Sequence, residues 1–241
     1  LAAAGFSIDQ NITVTAQAAT AGNFNSVTLM VAPALAPATT YQLSITNIRD
    51  CSGNTSSSSN FAFTTSAVAV AGDVIINEIM ADFSPSVGLP AAEYIELYNR
   101  SNKTLNLGGW QYSDATATTA TLPNFVLAPG AYVLLVAAAD TALFSGFGPV
   151  LGLSPFPSLN DSGDEVEIFD SFGKIIDKTV YTTASYNDAA KANGGWSLER
   201  INPGSACSST SNWIASTDTS GGTPGRQNSV FNNTPDTTPP V

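Results

Sequence analysis

The chain has 241 residues, 43 % hydrophobic and only 11 % charged, with 19 acidic against 8 basic side chains and no histidine. A net charge of −11 opposes association with nucleic acid or anionic membranes, because both rely on Lys and Arg to meet negative charge. The missing imidazole removes the usual general base, triad partner and metal ligand, and two cysteines are too few for a four-sulfur metal site.

In chain order the pattern is β throughout. Residues 12–16 alternate apolar and polar side chains. So do residues 26–31, with Val27, Leu29 and Val31 on one face, and residues 41–45, with Tyr41, Leu43 and Ile45. Residues 60–64 add Phe61 and Phe63. Period-2 alternation marks half-buried antiparallel strands, and four of them between polar turns fit part of a β-sandwich. Residues 66–72 (SAVAVAG) read as a connector. A larger unit starts at Asp73, with strands predicted over Val74–Met80, 93–99, 110–113, Tyr132–Ala137, 165–169, 174–181 and 196–201. Gly-Gly and Pro-Gly pairs at Gly108-Gly109, Pro129-Gly130, Gly194-Gly195 and Pro203-Gly204 supply turns between them. Only Ala138–Phe144 suggests a helical turn. Seven short strands with regular turn chemistry predict an all-β fold, an immunoglobulin-like β-sandwich. Residues 231–241 (FNNTPDTTPPV) read as a Pro/Thr-rich linker leading to a further domain. Apolar runs have strand length and fall short of the roughly 20 residues a membrane-spanning helix needs, so membrane insertion is not expected.

Two resemblances sharpen this layout. The stretches VIINEIMAD (74–82), EYIELYNRSNKTLNLGGWQYSD (93–114), LAPGAYVLL (127–135), LNDSGDEVEIFDSFGKIIDKTVY (159–181), GWSLERINPG (195–204) and NWIASTDTSGGTPGRQNSV (212–230) make residues 73–230 resemble a lamin tail domain of secreted bacterial proteins. That resemblance implies an immunoglobulin-like sandwich, a fold that does not of itself imply catalysis. VTLMVAPALAPATTYQLSITNIRDCSGN (27–54) with the strand at 61–64 makes residues 1–65 resemble the second half of a bacterial Ig-like repeat. Isolated Cys51 and Cys207 are read as one disulfide in an oxidising compartment, with two free thiols as the other reading. Joined, they would staple the two modules and close a loop worth roughly 5 kcal/mol in the chain-entropy account.

Several groups could carry chemistry. Glu78 and Glu96 sit among apolar neighbours, where they could form a glycosidase-like carboxylate pair or, as we expect, meet Arg200 in a structural ion pair, or backbone amides, and so stabilise the sandwich. By simple parity Glu78 shares a face with Ile76 and Met80. Asn160, Asp161, Asp164 and Glu165 crowd one loop and are the best candidates for a calcium site, although Asn, Asp and Gly are also ordinary turn formers. Ser171 and Lys174 spell SxxK on what reads as a hairpin turn, without the companion motifs of a Ser–Lys enzyme. Trp110, Tyr112, Trp196, Trp213 and Tyr186 could form a sugar-binding platform, but Trp110 and Trp196 read rather as core aromatics. The loop at 82–90, with Asp82 and Phe83, and Trp213 elsewhere are the expected exposed ligand contacts.

The expectation is a non-catalytic structural or interaction module of a larger secreted or cell-surface bacterial protein. The alternative is a carbohydrate- or protein-binding module, with calcium as the one conceivable cofactor; a carboxylate-based hydrolase has least support. Expected partners are neighbouring domains of the same chain and extracellular protein or glycan, with no nucleic acid.

Overall fold

The computed structural model describes residues 5–20, 23–49, 52–114, 116, 118–205 and 210–234. The chain forms two compact units, Leu1–Val68 and Ala69–Val241. In the first, β1 (Gly5–Ile8), β4 (Thr40–Thr46) and β5 (Ser59–Thr64) pair antiparallel in the order β1-β4-β5, while β2 (Thr13–Thr20) and β3 (Asn23–Ala32) form a separate antiparallel ribbon. Tyr41 is the anchor: its ring stacks on Phe63 at 5.7 Å and its hydroxyl accepts the Ala36 N–H at 2.8 Å. Among the described residues of this unit, Ile12 and Tyr41 are the buried hydrophobics.

The second unit contains twelve strands among its described residues: β6 (Val74–Met80), β7 (Tyr94–Asn99), β8 (Leu105–Asn106), β9 (Gln111–Ser113), β10 (Thr119–Thr121), β11 (Val126–Leu127), β12 (Tyr132–Ala137), β13 (Val150–Leu153), β14 (Gly163–Phe169), β15 (Ile175–Thr182), β16 (Leu198–Arg200) and β17 (Trp213–Ala215). The long strands fall where alternation predicts them, and Ala138–Phe144 is a 3-10 helix. Six strands form one sheet in the order β13-β12-β7-β6-β16-β17, antiparallel except for the β12–β13 pair. Four form a second sheet, β10-β9-β14-β15, and β8 pairs with β11. This is a β-sandwich.

Alternation divides the faces. In β14, Asp164, Val166 and Ile168 turn inward, while Glu165 and Glu167 point out to meet Lys178 of β15 at 2.6 and 2.9 Å. The six-stranded sheet is buried on both faces. One lateral row, Leu151–Leu135–Ile95–Ile79–Leu198–Ala215, is wholly apolar and carries no side chain more than 7 % exposed. Burying each Leu or Ile contributes roughly 1.5–3 kcal/mol, so this row anchors the sandwich. The adjacent row points the other way: Leu134–Glu96–Glu78–Glu199–Ile214 places three glutamates side by side on β7, β6 and β16.

Strand β6 departs from simple alternation. Its pairing with β7 slips between Ile76 and Glu78, leaving Asn77 as a bulge. Ile76 therefore pairs with Leu97 and shares its face, while Glu78 pairs with Glu96. The parity expectation that Ile76 and Glu78 share a face is thus corrected, because one extra residue reverses every side chain beyond it.

Candidate functional site

Two polar systems flank the Asn77 bulge. On one side, Arg200 of β16 donates from Nε to the Ile76 carbonyl at 2.7 Å and from Nη2 to Asp177 Oδ2 of β15 at 2.6 Å. Asp177 Oδ2 also accepts the Ile76 N–H at 2.8 Å, so one ion pair fills both backbone groups that the slipped ladder exposes. Arg200 is 2 % exposed and its guanidinium lies 5.0 Å from the ring centre of Trp213. Burial raises the Asp177 carboxyl against the pull of Arg200, and burial lowers Arg200 against the pull of Asp177. The 2.6 Å contact and the Ile76 N–H keep the pair charged, since a guanidinium does not deprotonate in a protein. The bulged Asn77 is held by Asn228, whose side chain donates to the Asn77 and Arg200 carbonyls at 2.9 Å each.

On the other face lie the glutamates, all 0 % exposed. Glu78 Oε1 accepts from the Tyr94 hydroxyl at 2.6 Å, the Ser197 hydroxyl at 2.6 Å and the Thr223 N–H at 2.7 Å. Glu96 accepts from the Asn77 side-chain amide at 2.8 Å and the Gly225 N–H at 2.5 Å. Glu199 accepts from the Thr223 hydroxyl at 2.9 Å, the Ser229 hydroxyl at 2.8 Å and the Val230 N–H at 3.1 Å. The donors come largely from residues 221–230, an irregular strap with no strand of its own that crosses the sheet face. A strap outside any ladder must find acceptors for its buried N–H groups, and the carboxylates supply them.

Burial, then the charge of Glu199, push Glu78 up to about 7. Burial, then the charge of Glu78, raise Glu96 well above its ordinary value. Glu78 and Glu96 pair across β6 and β7, and burial with their like charges disfavours ionising both. The strap's own cation, Arg226, donates to Asp218 at 2.6 Å.

The expected ion pair of Glu78 and Glu96 with Arg200 is therefore corrected. Arg200 sits on the opposite face with Asp177, and the glutamates take neutral donors. Sequence offered no sign of Asp177, which lies 23 residues from Arg200 on another sheet. Glu199, Thr223 and Gly225 were equally invisible as partners; the GGTPG run at 221–225 was the one hint. A Cβ on Gly222 would lie 2.6 Å from Glu78 Oε1, and one on Gly225, at φ +82°, would collide with the Phe147 carbonyl.

The other expected sites fare variously. Asp164 accepts from the Asn160 N–H and side-chain amide and from the Glu165 N–H, closing the turn, while Asp161 stays on the surface and Glu165 meets Lys178. Among the described residues no cluster of three or more acidic side chains is arranged to hold a metal ion. Trp213, expected at the surface, is 3 % exposed: although β17 is an edge strand, its register sets Trp213 directly opposite Arg200 of β16, whose guanidinium covers the ring. Phe83 packs against a core cluster that includes Met80, Tyr94 and Phe144, and Asp82 caps its own loop by accepting the Ser84 N–H. Trp110, Tyr112 and Tyr186 are buried, whereas Trp196 is partly open with Lys191 over its ring. Ser171 is an exposed turn residue, and Asp170 organises that turn by accepting the Phe172 and Lys174 N–H groups. Cys51 and Cys207 lie outside the described residues.

A cleft of about 1260 Å³ opens at one end of the six-stranded sheet, lined among others by Tyr98, Arg100, Asn102, Asn202, Phe231 and Asn233. Arg100 is tied down by the Gly72 and Pro203 carbonyls at 2.5 and 2.7 Å. Tyr98 stacks on Tyr132 at 4.7 Å.

The fold defines a two-module all-β protein whose main sheet buries a row of three carboxyl groups. Residues 67–183 match the family model of the Lamin Tail Domain and residues 2–65 that of a Bacterial Ig-like domain. The two matches follow each other along the chain in the order that the sequence resemblances imply. The matched lamin tail region ends before β16, so the strap lies beyond it. Among solved structures, the chain is similar to a DUF4876 family protein from Bacteroides thetaiotaomicron, at 11 % identity and a TM-score of 0.38 over 83 % of this chain and 87 % of that one. A likeness at that level carries no argument about function. Comparison with curated proteins finds no match.

Proposed function

We propose that this chain is a non-catalytic structural and interaction module of a larger extracellular or cell-surface bacterial protein. One observation carries the reading: Glu78, Glu96 and Glu199, the sequence's best candidates for acid–base chemistry and their newly found neighbour, are 0 % exposed and filled by donors from the sheet and strap. A carboxylate pair that hydrolyses a glycoside must instead flank a space that admits the sugar. The Bacterial Ig-like domain ahead of it supports an extracellular setting, and the acidic, sparsely charged composition is compatible with one. Binding of an extracellular glycan or protein is the finer form of the same reading.

Glu78→Gln and Glu199→Gln should each lower the melting temperature by several degrees, and the parent chain should show no turnover of glycoside, ester or phosphodiester probes. Hydrolysis by the parent that vanishes in a folded single-glutamate variant would overturn the proposal.

A further inference from the structure

We infer that the cleft at the Tyr98 end of the six-stranded sheet is a binding site for an oligosaccharide, an inference that rests on the interaction half of the proposed function. The cleft belongs entirely to the second unit and its walls combine the surfaces a sugar ring uses. Tyr98 offers an aromatic side chain held in place by Tyr132 behind it. Phe231, 39 % exposed, adds a second apolar surface. Sugar rings present C–H faces to such aromatics and hydroxyls around their edges.

The polar groups of the cleft are largely neutral, and several are fixed beforehand. Asn202 accepts the Gly204 N–H at 2.8 Å through Oδ1, and its backbone N–H donates to Asn212 Oδ1 at 2.8 Å. Asn232 accepts the Thr234 N–H at 2.9 Å. These bonds brace the loops at 202–204 and 232–234, which lowers the cost of ordering them on a ligand. Asn102 and Asn233 carry amides that can both donate and accept, the pattern that vicinal hydroxyls require. Arg100 contributes a cation, already anchored by two carbonyls, that can donate further to a ring or carboxylate oxygen.

Other ligand classes fit less well. A nucleic acid or polyphosphate would need several cations, and a chain of net charge −11 repels it. An apolar ligand would have to strip water from the Asn, Ser and Thr groups that dominate the walls without replacing their hydrogen bonds. A hydroxyl-rich ring satisfies both the amides and the aromatics.

The test is isothermal titration of the full chain with neutral oligosaccharides (cello-, xylo-, manno- and galacto-series) and with oligogalacturonate, which separates neutral from carboxylate-bearing sugars. Binding by at least one series is expected, weakened tenfold or more by Tyr98→Ala and severalfold by Asn102→Ala. Asn102 is solvent-exposed, so its variant keeps the test valid should Tyr98→Ala lower stability. The inference fails if no series binds at millimolar concentration, or if both variants bind like the parent. Such a failure leaves the non-catalytic reading intact. Release of shorter sugars during the titration would instead sink that reading.

Discussion

Asp177 shows how one side chain can be decisive without any local mark. It lies on β15, pairs with Arg200 of β16, and takes the Ile76 N–H that the bulge frees. Arg200→Met should leave a buried carboxylate and an unfilled carbonyl, at a cost of about 3–5 kcal/mol in urea unfolding, because breaking a buried pair strands the remaining charge. The glutamate row gives a pH signature. Glu78 is raised from 4.5 to about 7 by burial and by Glu199. An acid whose folded pKa is raised favours folding most when protonated. Its contribution is therefore complete below about pH 4.5 and is lost as pH rises through about 7, a decline of a few kcal/mol. Glu78→Gln cannot titrate, so its stability should be flatter across that window even though it is lower throughout. Denaturant midpoints measured from pH 4 to 8 would check this; parallel curves for parent and variant would refute the assignment.

Among the elements, the strap at 221–230 has no periodic signal, yet it covers the polar row of the main sheet. Its backbone reaches Glu78, Glu96 and Glu199 from Thr223, Gly225 and Val230. Gly222 and Gly225 admit that approach, the first because a Cβ would strike Glu78 and the second because its backbone is left-handed. Gly225→Ala should cost several kcal/mol, read as a lowered melting temperature. A chain ending at residue 215 should lose the near-ultraviolet circular dichroism of the second unit, since three carboxyls would then face the missing donors. A truncated chain with an unchanged near-ultraviolet spectrum would show the strap to be dispensable. Strands β6, β7, β12, β14 and β15 were legible because each is long enough for alternation to show. The two- and three-residue strands β8, β9, β10, β11, β16 and β17 are set by what they pair with, and only those that extend into apolar runs left a trace.

For the molecule as a whole, the two units differ sharply in what they bury. The second encloses the apolar row of its main sheet and a further cluster around Met80, Tyr94 and Phe144. The first has Ile12 and Tyr41 as its buried hydrophobics among the described residues. Calorimetry should resolve a weaker, lower-temperature transition that is absent from a 69–241 fragment; a single transition common to both chains would contradict it. By itself the sequence determined that this is a β protein of two modules without histidine chemistry, because alternation, turn residues and composition are local properties. It also carried stretches that resemble two known families. The tertiary structure alone decided that Ile76 turns away from Glu78, that Arg200 serves Asp177, that Trp213 is buried and that a strap ends in carboxylates. A bulge changes parity only through the register of a partner strand. Likewise, a charge chooses among partners brought near from 23 to 145 positions away only once the sheets have assembled.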